Sequence, residues 1–215
     1  SFLNILFRGL SKDGGLFLPS EWPTVSLENL QGKSYQEVAH SIIYPYIQDD
    51  IPYSDLQLII NTAYESFDHK KIAPLLNIDQ NKYILELFYG PTFAFKDYAL
   101  QFLGSLFSYL LNQSKKKITV LGATSGDTGS AAINAFKGKN DIEVFILHPH
   151  NNVSEVQRRQ MTTVEENNIH NFAIEGTFDD CQNIVKELFV DEEIQSKTSL
   201  TAINSINWIR IIAQT

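Results

Sequence analysis

From residue 80 onward the chain alternates between strand-like apolar runs and helix-like segments, and this repetition constrains the fold more than any other feature. Strands are predicted at 83–88, 117–121, 142–147 and 171–174. Helices are predicted at 96–112, 127–136, 154–162 and 178–189, with a last one from Ser205. Strands separated by helix-length connections pair in parallel, so the pattern predicts an α/β fold, a parallel sheet with crossover helices. Residues 1–79 differ: helical segments at 34–46 and 54–66 are broken by Gly14, Gly15, Pro19, Pro23, Pro52 and Pro74. Two regions are therefore expected, a mainly helical one at 1–79 and an α/β one at 80–215.

Two motifs sit at strand-to-helix junctions of this pattern. The first, Gly90-Pro91-Thr92-Phe93-Ala94-Phe95-Lys96-Asp97, places a lysine among apolar and aromatic neighbours where a helix begins. Burial there disfavours the ammonium and supplies a free amine for Schiff-base chemistry with a carbonyl cofactor; the other reading is a solvated lysine at a helix start. The second, Thr124-Ser125-Gly126-Asp127-Thr128-Gly129, sets hydroxyls and small residues before a helix. It reads as an anion cradle or as a tight turn with a capping side chain. In open α/β sheets, ligands bind beyond the carboxyl ends of strands, so both motifs are expected to face one pocket.

Composition excludes several classes. The formal charge of −8 argues against nucleic acid, which calls for a clustered basic surface. The basic run Lys115-Lys116-Lys117 suits a solvated helix end. No stretch approaches the roughly 20 apolar residues of a membrane span, and the N-terminus lacks a basic segment followed by an apolar one, so a cytoplasmic location is expected. Cys181 is the single cysteine and is expected to pack on a helix face rather than act as a nucleophile. His148 and His150 without a spaced third ligand carry no metal site. Neither a nucleophile-elbow serine nor a nucleotide-binding P-loop occurs.

Together the two motifs resemble those of pyridoxal-phosphate enzymes of the tryptophan-synthase-β type, fold type II, and among them the threonine synthase family. Further similarity runs through Gly14-Gly15-Leu16-Phe17-Leu18-Pro19, through residues 154–163, and through Asn204-Ser205-Ile206-Asn207-Trp208-Ile209-Arg210. The resemblance implies pyridoxal 5'-phosphate bound by Lys96, which then serves as the mobile acid and base. It implies conversion of the small molecule O-phosphohomoserine and water to threonine and phosphate, the last step of threonine biosynthesis. Asp127 is implied at the cofactor or the helix cap, and Thr124, Ser125, Gly126, Asp127 and Thr128 at the substrate carboxylate. Asn204, Ser205, Asn207 and Arg210 are implied at the leaving phosphate, since a guanidinium fork pairs with phosphate oxygens. The alternative for that last segment is a helix cap followed by a surface arginine.

Family members are substantially longer and carry a glycine-rich loop for the cofactor phosphate that has no counterpart here. The chain is therefore expected to be the N-terminal part of such an enzyme, inactive by itself. Two other functions stay open: a related enzyme such as a threonine dehydratase or a sulfhydrylase, and a non-catalytic protein that binds phosphorylated amino acids. The sequence sets no oligomeric state.

Overall fold

The computed structural model describes Phe2, Ile5, Leu6 and residues 17–202 and 208–214. It divides into two compact units, one of residues 1–105 with 206–215 and one of residues 106–205. Residues 80–105 thus share a unit with the helical region. The change of character near residue 80 is a change in element type.

The first unit starts from two helices that pack on each other, α1 (Tyr35–Ile47) and α2 (Tyr53–Tyr64). Ser34 begins α1 with a reciprocal cap, its hydroxyl accepting from Glu37 N–H while the Glu37 carboxylate accepts from Ser34 N–H. Leu56, Ile59, Ile60, Ala63 and Tyr64 form the buried stripe of α2 at helical spacing. A hairpin follows, β1 (Leu75–Asp79) and β2 (Lys82–Leu85), and then α3 (Lys96–Ser114), whose first half belongs to this unit. The short helix α8 (Trp208–Ile212) completes it, with Ile209 and Ile212 buried.

The hairpin corrects one expectation. The strand predicted at 83–88 is shorter, ending at Leu85, and it pairs antiparallel with β1, Leu75 opposite Leu85 and Leu76 opposite Ile84. It is no member of the parallel sheet. The reason is local: Asn81 takes a left-handed φ of 62°, so Gln80 and Asn81 turn the chain back at once. Closing so short a loop costs far less entropy than a crossover. Lys96 consequently lies eleven residues beyond the end of a hairpin strand, Leu85, rather than at the carboxyl end of a parallel one.

The second unit is the expected α/β layer structure. Four parallel strands run in the order β5 (Ile169–Ile174), β4 (Ile142–Pro149), β3 (Ile118–Ala123), β6 (Leu200–Ala202). The connecting helices are α4 (Asp127–Phe136), α5 (Glu155–Thr162), α6 (Phe178–Val190) and α7 (Glu192–Lys197). Side chains alternate across a strand. Leu121 and Leu147 accordingly pack with Cys181, Ile184 and Leu188 of α6 on one face. Val120, Val144 and Ile146 belong to the other. Cys181 is buried there, and burial raises its thiol pKa, so it is an inert core residue. Lys115 ends α3 with a left-handed φ, and Lys115 to Lys117 are exposed.

Candidate functional site

Lys96 is the first residue of α3 and is half-buried, with Nζ 5.2 Å from the centroid of the Phe95 ring. The turn before it is closed by the next residue. Asp97 is fully buried; its Oδ2 accepts from Thr92 N–H at 2.8 Å and its Oδ1 from the Thr92 hydroxyl at 2.7 Å. Gly90 is required beneath this contact, since a Cβ there would lie 2.5 Å from the Asp97 Cβ. The following residue anchors the helix. The Tyr98 hydroxyl donates to Ile72 C=O at 2.7 Å, and the Tyr98 carbonyl accepts from the Tyr64 hydroxyl at 3.1 Å. Burial pushes the pKa of both phenols up, so each stays a neutral donor at ordinary pH.

The 124–129 loop belongs to the second unit, directly after β3. Thr124 is buried, continues the sheet ladder by donating its N–H to Leu147 C=O, and accepts at Oγ1 from Gly126 N–H and Gly129 N–H at 2.9 and 2.8 Å. The Gly126 N–H, expected to face a ligand, is therefore engaged within the loop. The hydroxyl of Thr124 keeps one proton to donate. Ser125 is exposed and Thr128 half-buried at the opening of α4, where first-turn N–H groups lack intrahelical acceptors.

Asp127 is the first residue of α4, after the N-cap Gly126, and its Oδ1 accepts from Gln157 Nε2. Gln157 in turn accepts at Oε1 from the Ser154 hydroxyl, 2.7 Å away, at the start of α5. Gly126 lies beneath that amide, with φ 142° and an ideal Cβ position 2.3 Å from Gln157 Cδ, so no other residue fits without moving it. The 154–163 segment, which resemblance marked without a role, thus buttresses the loop through one glutamine.

Arg210 is buried, 3% exposed, which removes the surface-arginine reading. Its Nε and Nη1 have no hydrogen-bond partner among the described residues, and burial lowers its pKa. A buried cation with unmatched donors is costly, and an anion with oxygen acceptors is its natural complement. Asn204, Ser205 and Asn207 lie outside the described residues. Sequence reasoning missed Thr92, Asp97 and Gln157. The first two sit inside the quoted motif and could have been paired there, whereas Gln157 is joined to its loop only by the fold.

Among the described residues no group of three or more metal-type side chains converges, and no helix is long and apolar enough to cross a membrane. His150 pairs with Glu175 at 2.9 Å.

The family model described as "Threonine synthase N terminus" matches residues 1–64. The threonine synthase of Pseudomonas aeruginosa is 48% identical over the whole chain, which spans 46% of that relative; the Saccharomyces cerevisiae enzyme is 47% identical, with 45% spanned. "Threonine synthase-like 2" of Rattus norvegicus is 35% identical, with 45% spanned. Among solved structures, PLP-bound threonine synthase from Brucella melitensis superposes with a TM-score of 0.93 at 47% identity, covering 99% of this chain and 47% of that one. The yeast enzyme gives 0.91 at 46% identity, covering 99% and 45%. The chain spans a little under half the length of these relatives, and it belongs to the threonine synthase family.

Proposed function

We propose that this chain carries the reactive lysine and the substrate loop of a cytoplasmic, pyridoxal-phosphate-dependent threonine synthase acting on O-phosphohomoserine. The observation that carries the phosphorylated substrate, as against a dehydratase substrate, is Arg210. Its buried guanidinium has two donor nitrogens, Nε and Nη1, without acceptors among the described residues, and the terminal phosphate supplies such acceptors. Asn204, Ser205 and Asn207 are proposed to share that phosphate.

The residues present fit the cofactor. Lys96 offers an amine on a fixed root, and a half-buried setting beside Phe95 suits attachment of an aldehyde. When bound, pyridoxal phosphate supplies the electron sink for charge that develops as the substrate loses its Cα and Cβ protons. Lys96 Nζ then takes and returns those protons, a role that needs a flexible stem carrying an amine. Ser125 and Thr128 hydroxyls, the Thr124 proton and the first-turn N–H groups of α4 bind the substrate carboxylate. Gly126 contributes by leaving the backbone open. Asp127 contributes its position in that first turn, its carboxylate being held by Gln157.

The test is reduction with borohydride in the presence of pyridoxal phosphate, followed by peptide mapping and, in the complete protein, a phosphate-release assay. Label on Lys96 and release of equal threonine and phosphate are expected. Label without turnover in the complete protein would favour the non-catalytic reading, and ammonia with a keto acid as product would favour a dehydratase.

A further inference from the structure

The turn before Lys96 holds a conformation that its exposed side chain does not explain. Phe93 has φ 62°, a left-handed backbone that an aromatic residue rarely adopts, yet its ring is 71% exposed. Side-chain packing therefore does not impose the turn; backbone contacts do. Phe93 N–H donates to Gly90 C=O at 3.0 Å, Asp97 N–H to Ala94 C=O at 3.0 Å, and the Asp97 carboxylate receives both donors of Thr92. Strained backbone persists where surrounding contacts over-determine it, and such places are commonly functional.

We infer that Asp97, acting through Thr92, is a positioning residue for Lys96: the two-pronged contact closes the 92–97 segment and fixes the backbone from which the lysine stem extends. The inference rests on the assignment of Lys96 as the cofactor lysine. Its chemical logic is that a lysine acting in turn as covalent anchor and as proton carrier needs a mobile tip on an immobile root. Thr92 brings two donors, N–H and O–H, and only a carboxylate presents two acceptor oxygens to them. An asparagine presents one oxygen and sets an N–H₂ against a donor. A purely structural reading, with Asp97 only a favourable negative charge in the first turn of α3, predicts lost stability and unchanged chemistry.

The experiment compares Asp97→Asn, Thr92→Val and Thr92→Ser in the complete protein, with Lys96→Ala as reference. The rate of borohydride-trapped pyridoxal phosphate at Lys96, hydrogen exchange across residues 90–98, and kcat and KM are measured. Asp97→Asn and Thr92→Val are expected to slow trapping at Lys96 and to lower kcat on the order of 10- to 100-fold, as misplacement of a reacting group does. Exchange in the segment should rise, KM should stay within about two-fold, and Thr92→Ser, which keeps the donor, should behave as the parent. If Asp97→Asn does not fold, the two Thr92 variants decide. Unchanged trapping and kcat in Thr92→Val, with only thermal stability reduced, would overturn the inference while leaving Lys96 in its role. Label that persists in Lys96→Ala overturns both.

Discussion

The two units solve the same burial problem to different degrees. In the second, a four-stranded sheet is lined by α6 on one face and packs against α4 through β4 on the other, and its exposed large apolar side chains are scattered: Val156, Phe172 and Val190. In the first, the hairpin strands are exposed along their whole length, so that Leu75, Leu76, Ile78, Tyr83, Ile84 and Leu85 all meet solvent, with Phe88, Phe93 and Phe95 nearby in sequence. Isolated exposed apolar residues are ordinary, but a contiguous patch signals a surface built to be covered. The lesson is that layer completeness, more than length of chain, decides which unit is self-sufficient.

The largest expected effect lies on the lysine side. Lys96→Ala should abolish cofactor attachment and turnover in the complete protein, read by mapping after borohydride reduction, while the second unit keeps its native amide-exchange protection. Arg210→Gln should raise KM for the phosphorylated substrate on the order of 10- to 100-fold, the scale of one charge-assisted contact. It should leave the thermal stability of the unliganded protein undiminished, because it removes a buried charge whose Nε and Nη1 lack acceptors among the described residues. A parental KM would break the phosphate assignment.

On the loop side, Gly126→Ala should cost about 1–3 kcal/mol in denaturant unfolding, since φ 142° is unfavourable for alanine and the new Cβ meets Gln157. Association sharpens the contrast between units. Residues 106–205 alone should elute as a monomer at all concentrations, whereas the whole chain should shift to larger species as concentration rises. Ile84→Lys should suppress that shift. Concentration-independent elution of the whole chain would dissolve the contrast.

The smallest effects are opposed in sign with pH. In the first unit, burial raises the pKa values of Tyr64 and Tyr98 above the ordinary 10.0. The stability they contribute is fully present below 10.0 and is lost as pH rises above it, because the unfolded phenols ionise first. In the second unit, burial lowers the pKa of Lys139 below 10.5. Its penalty is present at neutral pH and fades as pH rises through the lowered value toward 10.5. Amide exchange followed from pH 8 to 11 should show the first unit weakening, and Lys139→Met should remove a small stabilising slope from the second.

How legible the molecule was depended on the range of the interaction. The helices α4 and α6 begin where the sequence placed them, at Asp127 and Phe178, whereas Ser34 and Ser154, read as the first residues of their helices, stand one position before them as caps. The strand at 83–88 was misplaced because an apolar run does not state its partner, and the turn at Asn81 supplied an antiparallel one. Lys96 and the 124–129 loop were singled out as candidates through motif chemistry and resemblance, but the engagement of Gly126 N–H by Thr124, and of Asp127 by Gln157, came from contacts closed in three dimensions.

What the sequence by itself determined is the alternation that builds a parallel sheet and the identity of the amine and hydroxyls in the two motifs, whose resemblance to those of known enzymes pointed to the family. These are local properties, fixed by periodicity and side-chain type. Only the tertiary structure decided that Arg210 is buried with Nε and Nη1 unmatched among the described residues, that Asp97 closes the turn before Lys96, and that Gln157 holds the 124–129 loop. Burial and hydrogen bonding depend on which distant surfaces meet, and the energy of a polar group depends on that meeting far more than on its neighbours in the chain.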